Sequence, residues 1–351
     1  MSDSTTKPRV GVIGLGAMGL GSATALHERG LTVVGCDVSA AARRAFEGVG
    51  GRCAANPAEL AEQCDVVLVV VVNAAQVEQV LFGEQGLAYA LAPGGLVIQC
   101  ATVAPSLAER LGARLAERDL LMLDAPISGG AVKARAGQLS VMASGSEEAF
   151  AKAGPVLDAM AATVHRLGDS PGIGSSMKLV NQLLAGVHIA AAAEAVALGI
   201  RMGLEPRRVY EVITQSAGNS WMFENRVPHI LEGDYTPLSA VDIFVKDLNI
   251  VHETGRELAM TTPIAASALQ QFTAARGAGF GREDDSAVIK VYQRLSGIAL
   301  PEAANDGGSE HGGRAGRHCR RLHRSHRPGQ QPGARRHALR AADRRTRAGA
   351  G

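Results

Sequence analysis

One lysine stands in a strongly apolar stretch, GIGSSMKLVNQLLAG, at residues 172–186. Its immediate neighbours are Met177 and Leu179, and the spacing of apolar residues indicates a helix. Loss of hydration among apolar side chains lowers the pKa of a lysine from about 10.4 toward about 7–8. An amine in that range can take a proton from an alcohol or give one to a carbonyl. Lys178 is therefore a candidate for acid–base chemistry, although by itself the pattern favours a solvated surface lysine.

A glycine-rich turn near the N-terminus is a second candidate site. Gly14, Gly16 and Gly19 form a GxGxxG motif that follows an apolar strand at 9–13 and opens a helix. Such glycines allow a tight turn and a close approach of a pyrophosphate, which the helix N-terminus attracts. Asp37 ends the next strand, where a carboxylate accepts hydrogen bonds from ribose hydroxyls and repels a 2′-phosphate. The motif predicts NAD as cofactor; a plain strand–helix turn beside a solvated acid is the alternative.

Short apolar strands alternate with helices through the first half of the chain. Seven consecutive apolar residues, Val66 to Val72, are typical of a strand buried on both faces of a parallel sheet. The alternation predicts a doubly wound α/β Rossmann domain. The predicted strands are 9–13, 31–36, one near Arg52, 65–72, 96–100 and 121–124.

The pattern beyond about residue 170 is helical throughout. A segment from Ser175 to Gly203 is apolar nearly all round and is expected to form a long, mostly buried helix. Further helices are predicted from Pro206 onward and at 240–259, 262–276 and 284–296. These elements predict an all-α second domain.

Three residues of the helical half have simple structural interpretations. His188 is expected to be a core histidine, and Glu194 is expected to make buried hydrogen bonds or an ion pair. Trp221, the one tryptophan of the chain, fits either a core aromatic residue or a substrate pocket.

Composition limits the class of protein. The chain has 351 residues, 46% of them hydrophobic, which suffices for two domains with separate cores. Five cysteines without a CxxC pair and an N-terminus without an apolar segment predict a cytoplasmic protein with reduced thiols and no zinc site. The predicted parts are a disordered N-terminus at 1–8, an NAD-binding Rossmann domain at 9–170, a helical substrate and dimerisation domain at 171–300, and a disordered tail at 301–351.

The last part of the chain has a different composition. Between His311 and Gly351 there are 12 arginines, no lysine and one acid, Asp343. Such a segment cannot bury a core and is predicted to be disordered. A nucleic-acid-binding arm, a flexible tail and a shifted reading frame are the alternatives, and the lack of lysine and aromatic residues favours the shifted frame.

Four motifs in a fixed order resemble the β-hydroxyacid dehydrogenase family, which includes 3-hydroxyisobutyrate and tartronate semialdehyde dehydrogenases. They are VGVIGLGAMG at 10–19, DAPISGG at 124–130, GIGSSMKLVNQ at 172–182 and KDL at 246–248. The resemblance covers about residues 9–297. Within the family, the stretches at 71–83 and 219–248 are most similar to enzymes that act on L-threonate.

The resemblance implies a role for each matched residue. Lys178 corresponds to the family's catalytic lysine, and Asn181, on the same helix face, would orient the substrate. Ser128, Gly129 and Gly130 correspond to contacts with the substrate carboxylate. The cofactor contacts predicted from the turn and the resemblance together are Gly14, Leu15, Gly16, Ala17, Met18, Gly19, Asp37, Thr102 and Lys246.

Some of these assignments have equally simple alternatives. Thr102 also fits a turn residue before Pro105, and Lys246 also fits a local salt bridge with Asp247. Gln182 is expected only to pack and receives no role.

The function implied by the resemblance is NAD-dependent oxidation of a short hydroxyacid, with L-threonate as first choice and a 2-oxo acid as product. A tartronate semialdehyde or 3-hydroxyisobutyrate dehydrogenase is the alternative within the class. A non-catalytic NAD-binding sensor is the alternative from another class. An imine reductase is disfavoured, because enzymes of that kind typically lack a lysine at the position of Lys178. The expected partners are a small-molecule substrate and further copies of the chain in a homodimer or homotetramer, with no nucleic acid and no membrane.

Overall fold

The computed structural model describes residues 7–302. The three interpretations of the arginine-rich segment, and nearly all of the two segments predicted to be disordered, lie outside these residues. Within them the predicted class is confirmed, because a parallel-dominated sheet with flanking helices is followed by a helical region.

A nine-stranded sheet forms the first half of the fold. The neighbouring strands follow the order β3-β2-β1-β4-β5-β6-β8-β7, and β9 pairs with β8. Pairing is parallel from β3 to β6, whereas β8 runs antiparallel to both β6 and β7. The strands are β1 (Arg9–Ile13), β2 (Thr32–Cys36), β3 (Arg52–Cys53), β4 (Val66–Val69), β5 (Leu96–Gln99), β6 (Leu121–Asp124), β7 (Ile127–Ser128), β8 (Leu139–Ser144) and β9 (Ala161–Gly168).

Helices pack on both faces of this sheet and bury its central strands. All residues of β4 and β5 are buried, as the run of valines at 66–72 predicts for a central parallel strand. Two apolar clusters pack against the two faces. The helices between the strands are α1 (Ala17–Glu28), α2 (Ala40–Glu47), α3 (Pro57–Ala61), α4 (Ala74–Phe82), α5 (Pro105–Ala116), α6 (Gly130–Arg135) and α7 (Glu147–Met160).

The second half packs a third apolar cluster around one long helix. The predicted helix at 284–296 is a 3-10 helix at Asp285–Ile289 that continues into an α-helix, because the Asp284 carboxylate caps the amide of Ser286 and tightens the first turn. The α-helices are α8 (Ile173–Arg201), α9 (Pro206–Ile213), α10 (Trp221–Glu232), α11 (Val241–Glu257), α12 (Pro263–Ala275) and α13 (Lys290–Ser296).

Helix α8 joins the two halves. Its first turn packs directly on the sheet, since a Cβ at Gly174 would lie 2.5 Å from the Met142 carbonyl oxygen and 2.6 Å from that of Asp124. Its later turns pack against α10, α11 and α12. Only glycine at position 174 allows so close an approach, so α8 is fixed at the edge of the sheet.

Helix α8 is less buried than the sequence predicted, since about half of its residues are buried. By length and composition, α8 is the one helix of residues 7–302 that could cross a membrane, with a mean hydropathy of 1.9 in its most apolar window. Half of that window is buried against the rest of the chain, as in the core helix of a globular protein. The other half includes an apolar face that remains exposed.

Candidate active site

The glycine-rich turn between β1 and α1 has the geometry of a phosphate-binding loop. Gly14 adopts a left-handed φ of +92° and donates a hydrogen bond to the Cys36 carbonyl at 2.9 Å. A Cβ at Gly19 would lie 1.8 Å from the Gly14 carbonyl oxygen, so glycine is required for helix packing. A Cβ at Gly16 would meet nothing within 4 Å, which leaves open space above the N-terminus of α1.

Asp37 closes this loop from the end of β2. Its carboxylate accepts a hydrogen bond from the Leu15 amide and another from the Ser39 amide, each at 2.7 Å. An ionised carboxylate has about four acceptor positions, so two remain for ribose hydroxyls. The open space at Gly16 and the carboxylate at Asp37 fit a dinucleotide bound across the carboxyl ends of β1 and β2.

Lys178 is held inside the protein on the sheet-facing side of α8. Its Nζ donates a hydrogen bond to the Ile127 carbonyl oxygen at 2.8 Å, and the residue is only 8% exposed. Burial lowers the pKa of the amine to about 8, which Asp247 opposes and Lys246 reinforces. The predicted desolvation of Lys178 is confirmed, while its catalytic role stays a prediction.

A buried carboxylate fixes the helix turn that precedes Lys178. Asp124, at the end of β6, accepts hydrogen bonds from the Gly172 amide at 2.9 Å and the Ser175 amide at 2.8 Å. It also accepts one from the Ser175 hydroxyl at 2.8 Å. Burial raises the pKa of Asp124, and these three donors lower it. Asp124 and Ile127 are three residues apart, so one short segment holds both the start of α8 and the amine of Lys178.

A chain of side chains connects the amine's helix face to α11. The Asn181 amide donates to the Gln182 side-chain oxygen at 2.9 Å, and Gln182 donates to the buried Asp247 carboxylate at 2.5 Å. Asp247 forms an ion pair with Lys246, and Lys246 donates to the Thr102 carbonyl at 3.3 Å. The predicted pair of Lys246 with Asp247 is confirmed, and the pair also reaches the sheet edge.

Gln182 is more than the packing residue that the sequence predicted. It is buried, it lies four residues after Lys178 on the same helix face, and its partner Asp247 also acts on the pKa of that lysine. The spacing of four could have revealed the shared face, but the pairing with Asp247 spans 65 residues. The contact of Lys178 with the Ile127 carbonyl could not be predicted either, because a backbone carbonyl leaves no side-chain motif in the sequence.

The segment Ser128-Gly129-Gly130 continues directly from the carbonyl that holds Lys178. Ser128 ends β7, and Gly129 and Gly130 adopt left-handed φ values of +135° and +77° at the start of α6. A Cβ at Gly130 would meet nothing within 4 Å. The backbone is therefore open on this side, as a binding position for a carboxylate requires.

Three other residues considered in the sequence analysis lie outside this site or differ from the predictions made for them. Trp221 is 52% exposed at the start of α10, so the core interpretation is wrong. His188 is half-buried. Glu194 is exposed and accepts a hydrogen bond from the Tyr292 hydroxyl at 2.9 Å, so the expected burial of this acid is also wrong.

Two family models match the two halves of the chain. Residues 9–168 match the NAD binding domain of 6-phosphogluconate dehydrogenase. Residues 172–292 match a domain described as NAD-binding of NADP-dependent 3-hydroxyisobutyrate dehydrogenase.

Curated and solved proteins are similar over most of the chain. L-threonate dehydrogenase of Cupriavidus necator is 58% identical over 295 residues, which are 84% of this chain and 98% of that protein. L-threonate dehydrogenase of Escherichia coli K12 is 53% identical over 296 residues, 84% of this chain and 97% of that protein. The crystal structure of a 3-hydroxyisobutyrate dehydrogenase from Salmonella typhimurium is 51% identical, with a TM-score of 0.77 over 81% of this chain and 99% of that one.

The fold and the matched domains define an NAD-dependent dehydrogenase with a Rossmann-like domain and a helical region. NAD is its cofactor, in agreement with the glycine-rich loop and Asp37. The chain belongs to the β-hydroxyacid dehydrogenase family.

Asp37 should set the preference for NAD over NADP. In Asp37→Asn the amide oxygen still accepts a backbone hydrogen bond, but the charge that repels a 2′-phosphate is gone. We expect the ratio of kcat/KM with NAD to that with NADP to fall about tenfold or more, equivalent to about 1.4 kcal/mol. Asp65→Asn, the same change at an exposed carboxylate paired with Arg9, is the control. An unchanged ratio in Asp37→Asn would contradict this role.

Asp124 should position Lys178 through the helix. Asp124→Ala removes three hydrogen bonds to a buried carboxylate, which we expect to lower the free energy of unfolding by about 2–4 kcal/mol. A looser α8 admits water to the amine, so the apparent pKa of turnover should rise above 8. Asp124 is not among the charges that act on the Lys178 pKa, so such a shift would come from the helix position.

Denaturant unfolding and the pH dependence of NADH production measure these two effects. Asp124→Asn is the matched control, because its amide can still accept from the Ser175 and Gly172 amides and donate to the Ser175 hydroxyl. A pH profile of Asp124→Ala that coincides with that of the wild type would restrict Asp124 to a structural role.

Proposed function

We propose that the protein oxidises L-threonate to the corresponding 2-oxo acid with NAD, and that Lys178 is the general base. Two relatives that are 58% and 53% identical over 84% of the chain are L-threonate dehydrogenases, which supports the substrate. The observation that carries the chemistry is the buried Lys178 amine, held 2.8 Å from the Ile127 carbonyl with its pKa lowered to about 8.

The amine supplies the proton transfer of the reaction. When bound, NAD accepts a hydride from the substrate carbon that carries the hydroxyl. Lys178 in its neutral form takes the hydroxyl proton as the carbonyl forms, and in the reverse direction its ammonium form returns that proton. The Ile127 carbonyl orients the amine without neutralising it, because a carbonyl accepts a hydrogen bond but carries no charge.

The substrate carboxylate is assigned to Ser128, Gly129 and Gly130. The Ser128 hydroxyl and the backbone amides of the two glycines, of which Gly130 faces open space, offer donors to a carboxylate beside the segment that holds Lys178. Asn181 is assigned to the substrate hydroxyl, and its bond to Gln182 holds its side chain in place. A short acid would thus be held at both ends, with its reacting carbon fixed near the amine.

On the cofactor side, Gly14 to Gly19 would hold the pyrophosphate and Asp37 the adenosine ribose. Thr102 and Lys246 would lie near the nicotinamide end. The hydrogen bond from Lys246 to the Thr102 carbonyl supports this pairing, because it brings α11 to the carboxyl end of β5.

A 3-hydroxyisobutyrate dehydrogenase is the second candidate, since the similar Salmonella structure is that of a 3-hydroxyisobutyrate dehydrogenase. Both acids place a hydroxyl near a carboxylate, so the same amine serves either reaction. We further propose that residues 9–170 and 171–300 are the cofactor and substrate domains, and that the enzyme works in the cytoplasm as a homo-oligomer.

The pH dependence tests the role of Lys178. Oxidation needs the neutral amine, so kcat/KM should rise with pH up to about 8 and level off above it, while the reduction rate should fall over the same range. Lys178→Met and Lys178→Arg should each lower kcat by about 10²–10⁴-fold, since neither side chain can take up a proton at neutral pH.

NADH binding, followed by its fluorescence, should persist in both variants. Lys152→Met is the matched control, because Lys152 also donates to a backbone carbonyl, that of Gly94, outside the site. Turnover of Lys178→Met that matches the wild type would refute the assignment and favour a non-catalytic NAD-binding role.

A comparison of substrates tests the identity of the acid. We expect kcat/KM for L-threonate to exceed that for 3-hydroxyisobutyrate, tartronate semialdehyde in the reductive direction, and serine by about tenfold or more, since each unmatched hydroxyl leaves a polar group of the site unpaired. The measurement is NADH production or consumption at fixed enzyme. Equal or lower efficiency with L-threonate would overturn this choice and leave the hydroxyacid class in place.

A further inference from the structure

The buried carboxylate of Asp247 divides its two oxygens between two donors. Oδ1 forms the ion pair with Lys246, and Oδ2 accepts the hydrogen bond from the Gln182 Nε2 at 2.5 Å. Asp247 is 1% exposed and Gln182 is 7% exposed, so solvent has little access to this contact. An ionised carboxylate only accepts hydrogen bonds. Gln182 must therefore turn its NH2 group toward Asp247.

The orientation of the Gln182 amide fixes that of the Asn181 amide. With its NH2 group on Asp247, Gln182 presents its Oε1 to Asn181, whose Nδ2 donates to it at 2.9 Å. The reverse orientation of Gln182 would bring its carbonyl oxygen against the Asp247 carboxylate, and two buried acceptors would then face each other without a proton. The carboxylate on α11 thus sets the orientation of both amides in turn.

Asn181 retains one N–H and its carbonyl oxygen for other partners. A side-chain amide has two donor hydrogens, and Gln182 uses one of them. Among residues 7–302, no donor contacts the Asn181 Oδ1, and Asn181 is only half-buried. It lies three residues after Lys178, on the same side of α8. One donor and one acceptor of a fixed amide are therefore available beside the amine.

Two hydroxyls on neighbouring carbons have the complementary pattern. The reacting hydroxyl gives its proton to Lys178, so its oxygen can only accept a hydrogen bond from Asn181. A second hydroxyl on the next carbon keeps its proton and can donate to the Asn181 Oδ1. L-threonate carries such a pair on the two carbons that follow its carboxylate, whereas 3-hydroxyisobutyrate has a single hydroxyl.

We propose that Gln182 is a positioning residue that fixes the Asn181 amide through Asp247, and that the site thereby selects acids with a second hydroxyl beside the reacting one. Lys178 and Asn181 contact the substrate, whereas Gln182 acts only through Asn181. The inference rests on the proposed oxidation by Lys178 and names the feature of the substrate that the site recognises.

A purely structural tie between α8 and α11 is the competing explanation of the same hydrogen bonds. Loss of such a tie would impair every substrate alike, because it loosens the helix that carries Lys178. Loss of the amide orientation would impair only substrates that donate to the Asn181 Oδ1. The ratio of kcat/KM between two substrates therefore separates the two explanations.

The experiment compares L-threonate with two analogues that have the same configuration at the reacting carbon. One is the 3-deoxy acid, and in the other fluorine replaces the second hydroxyl, with nearly its size but no proton to donate. The kcat/KM of the wild type for L-threonate should exceed that for either analogue about tenfold or more, since each analogue leaves the acceptor of Asn181 unpaired.

Gln182→Met keeps the length of the side chain and removes both of its hydrogen bonds. We expect the ratio of kcat/KM between L-threonate and the 3-deoxy acid to fall about fivefold or more, through the loss with L-threonate. Gln182→Glu is the conservative variant, because a carboxylate oxygen still accepts from Asn181, and its ratio should stay near that of the wild type. Gln63→Met is the matched control, since Gln63 donates to the Glu59 carbonyl outside the site.

Circular dichroism should show which variants are folded. An unchanged ratio in folded Gln182→Met, or an equal loss with all three acids, would overturn the role of Gln182. If that variant does not fold, the wild type decides: a fluorinated acid as poor as the 3-deoxy acid supports the selection for a donor, and one as good as L-threonate overturns it. Equal turnover of all three acids overturns this inference and leaves hydroxyacid oxidation in place. Turnover of none of them refutes the proposed function and this inference with it.

Discussion

The removal of water from one amine is the condition on which the site depends. Lys178 is buried against the Ile127 carbonyl, and that burial moves its pKa to about 8. Burial of an amine is costly unless its position is fixed and its donors have partners. The hydrogen bonds that Asp124 accepts from Ser175 fix the first turn of α8 and therefore the position of Lys178. Asp124 thus supports the amine proposed to react without itself contacting the substrate.

Two charged residues of the site shift the pKa of Lys178 in opposite directions. Asp247 raises the pKa of Lys178 and Lys246 lowers it, and the two are themselves an ion pair. The amine therefore faces a nearly neutral neighbour, and desolvation decides its pKa. The hydrogen bonds of Gln182 and Lys246 also tie α8 and α11 to the sheet edge at Thr102, so that the parts proposed to hold cofactor and substrate share one network.

Helix α8 serves three sides of the molecule at once. One side carries Lys178 and Gln182 toward the site, a second packs in the helical core, and the third is apolar and exposed. This division explains why the sequence of the helix is apolar nearly all round although only about half of its residues are buried. Periodicity alone cannot separate a fully buried helix from one with an exposed apolar face, because both have apolar residues on every side.

Local patterns determined much of this protein from the sequence alone. The glycine-rich turn, the valine run of β4 and the position of Asp37 are short-range signals, because each depends on neighbouring residues and on the regular geometry of strands and helices. The predicted lysine on an apolar helix was correct for the same reason. The strands β7 to β9 were not predicted: β7 has only two residues, and β8 pairs antiparallel with β6 and β7 and parallel with β9, so no single local pattern marks them.

Only the tertiary structure decided what surrounds the amine. The contacts of Lys178 with Ile127 and of Ser175 with Asp124 each join residues 51 positions apart, and that of Gln182 with Asp247 joins residues 65 apart. Such pairs leave no periodic trace in the chain, and one partner of Lys178 is a backbone carbonyl that any residue type could supply. The sequence identified the candidate reactive group, and the packing of a helix against a sheet lowered the pKa of that group.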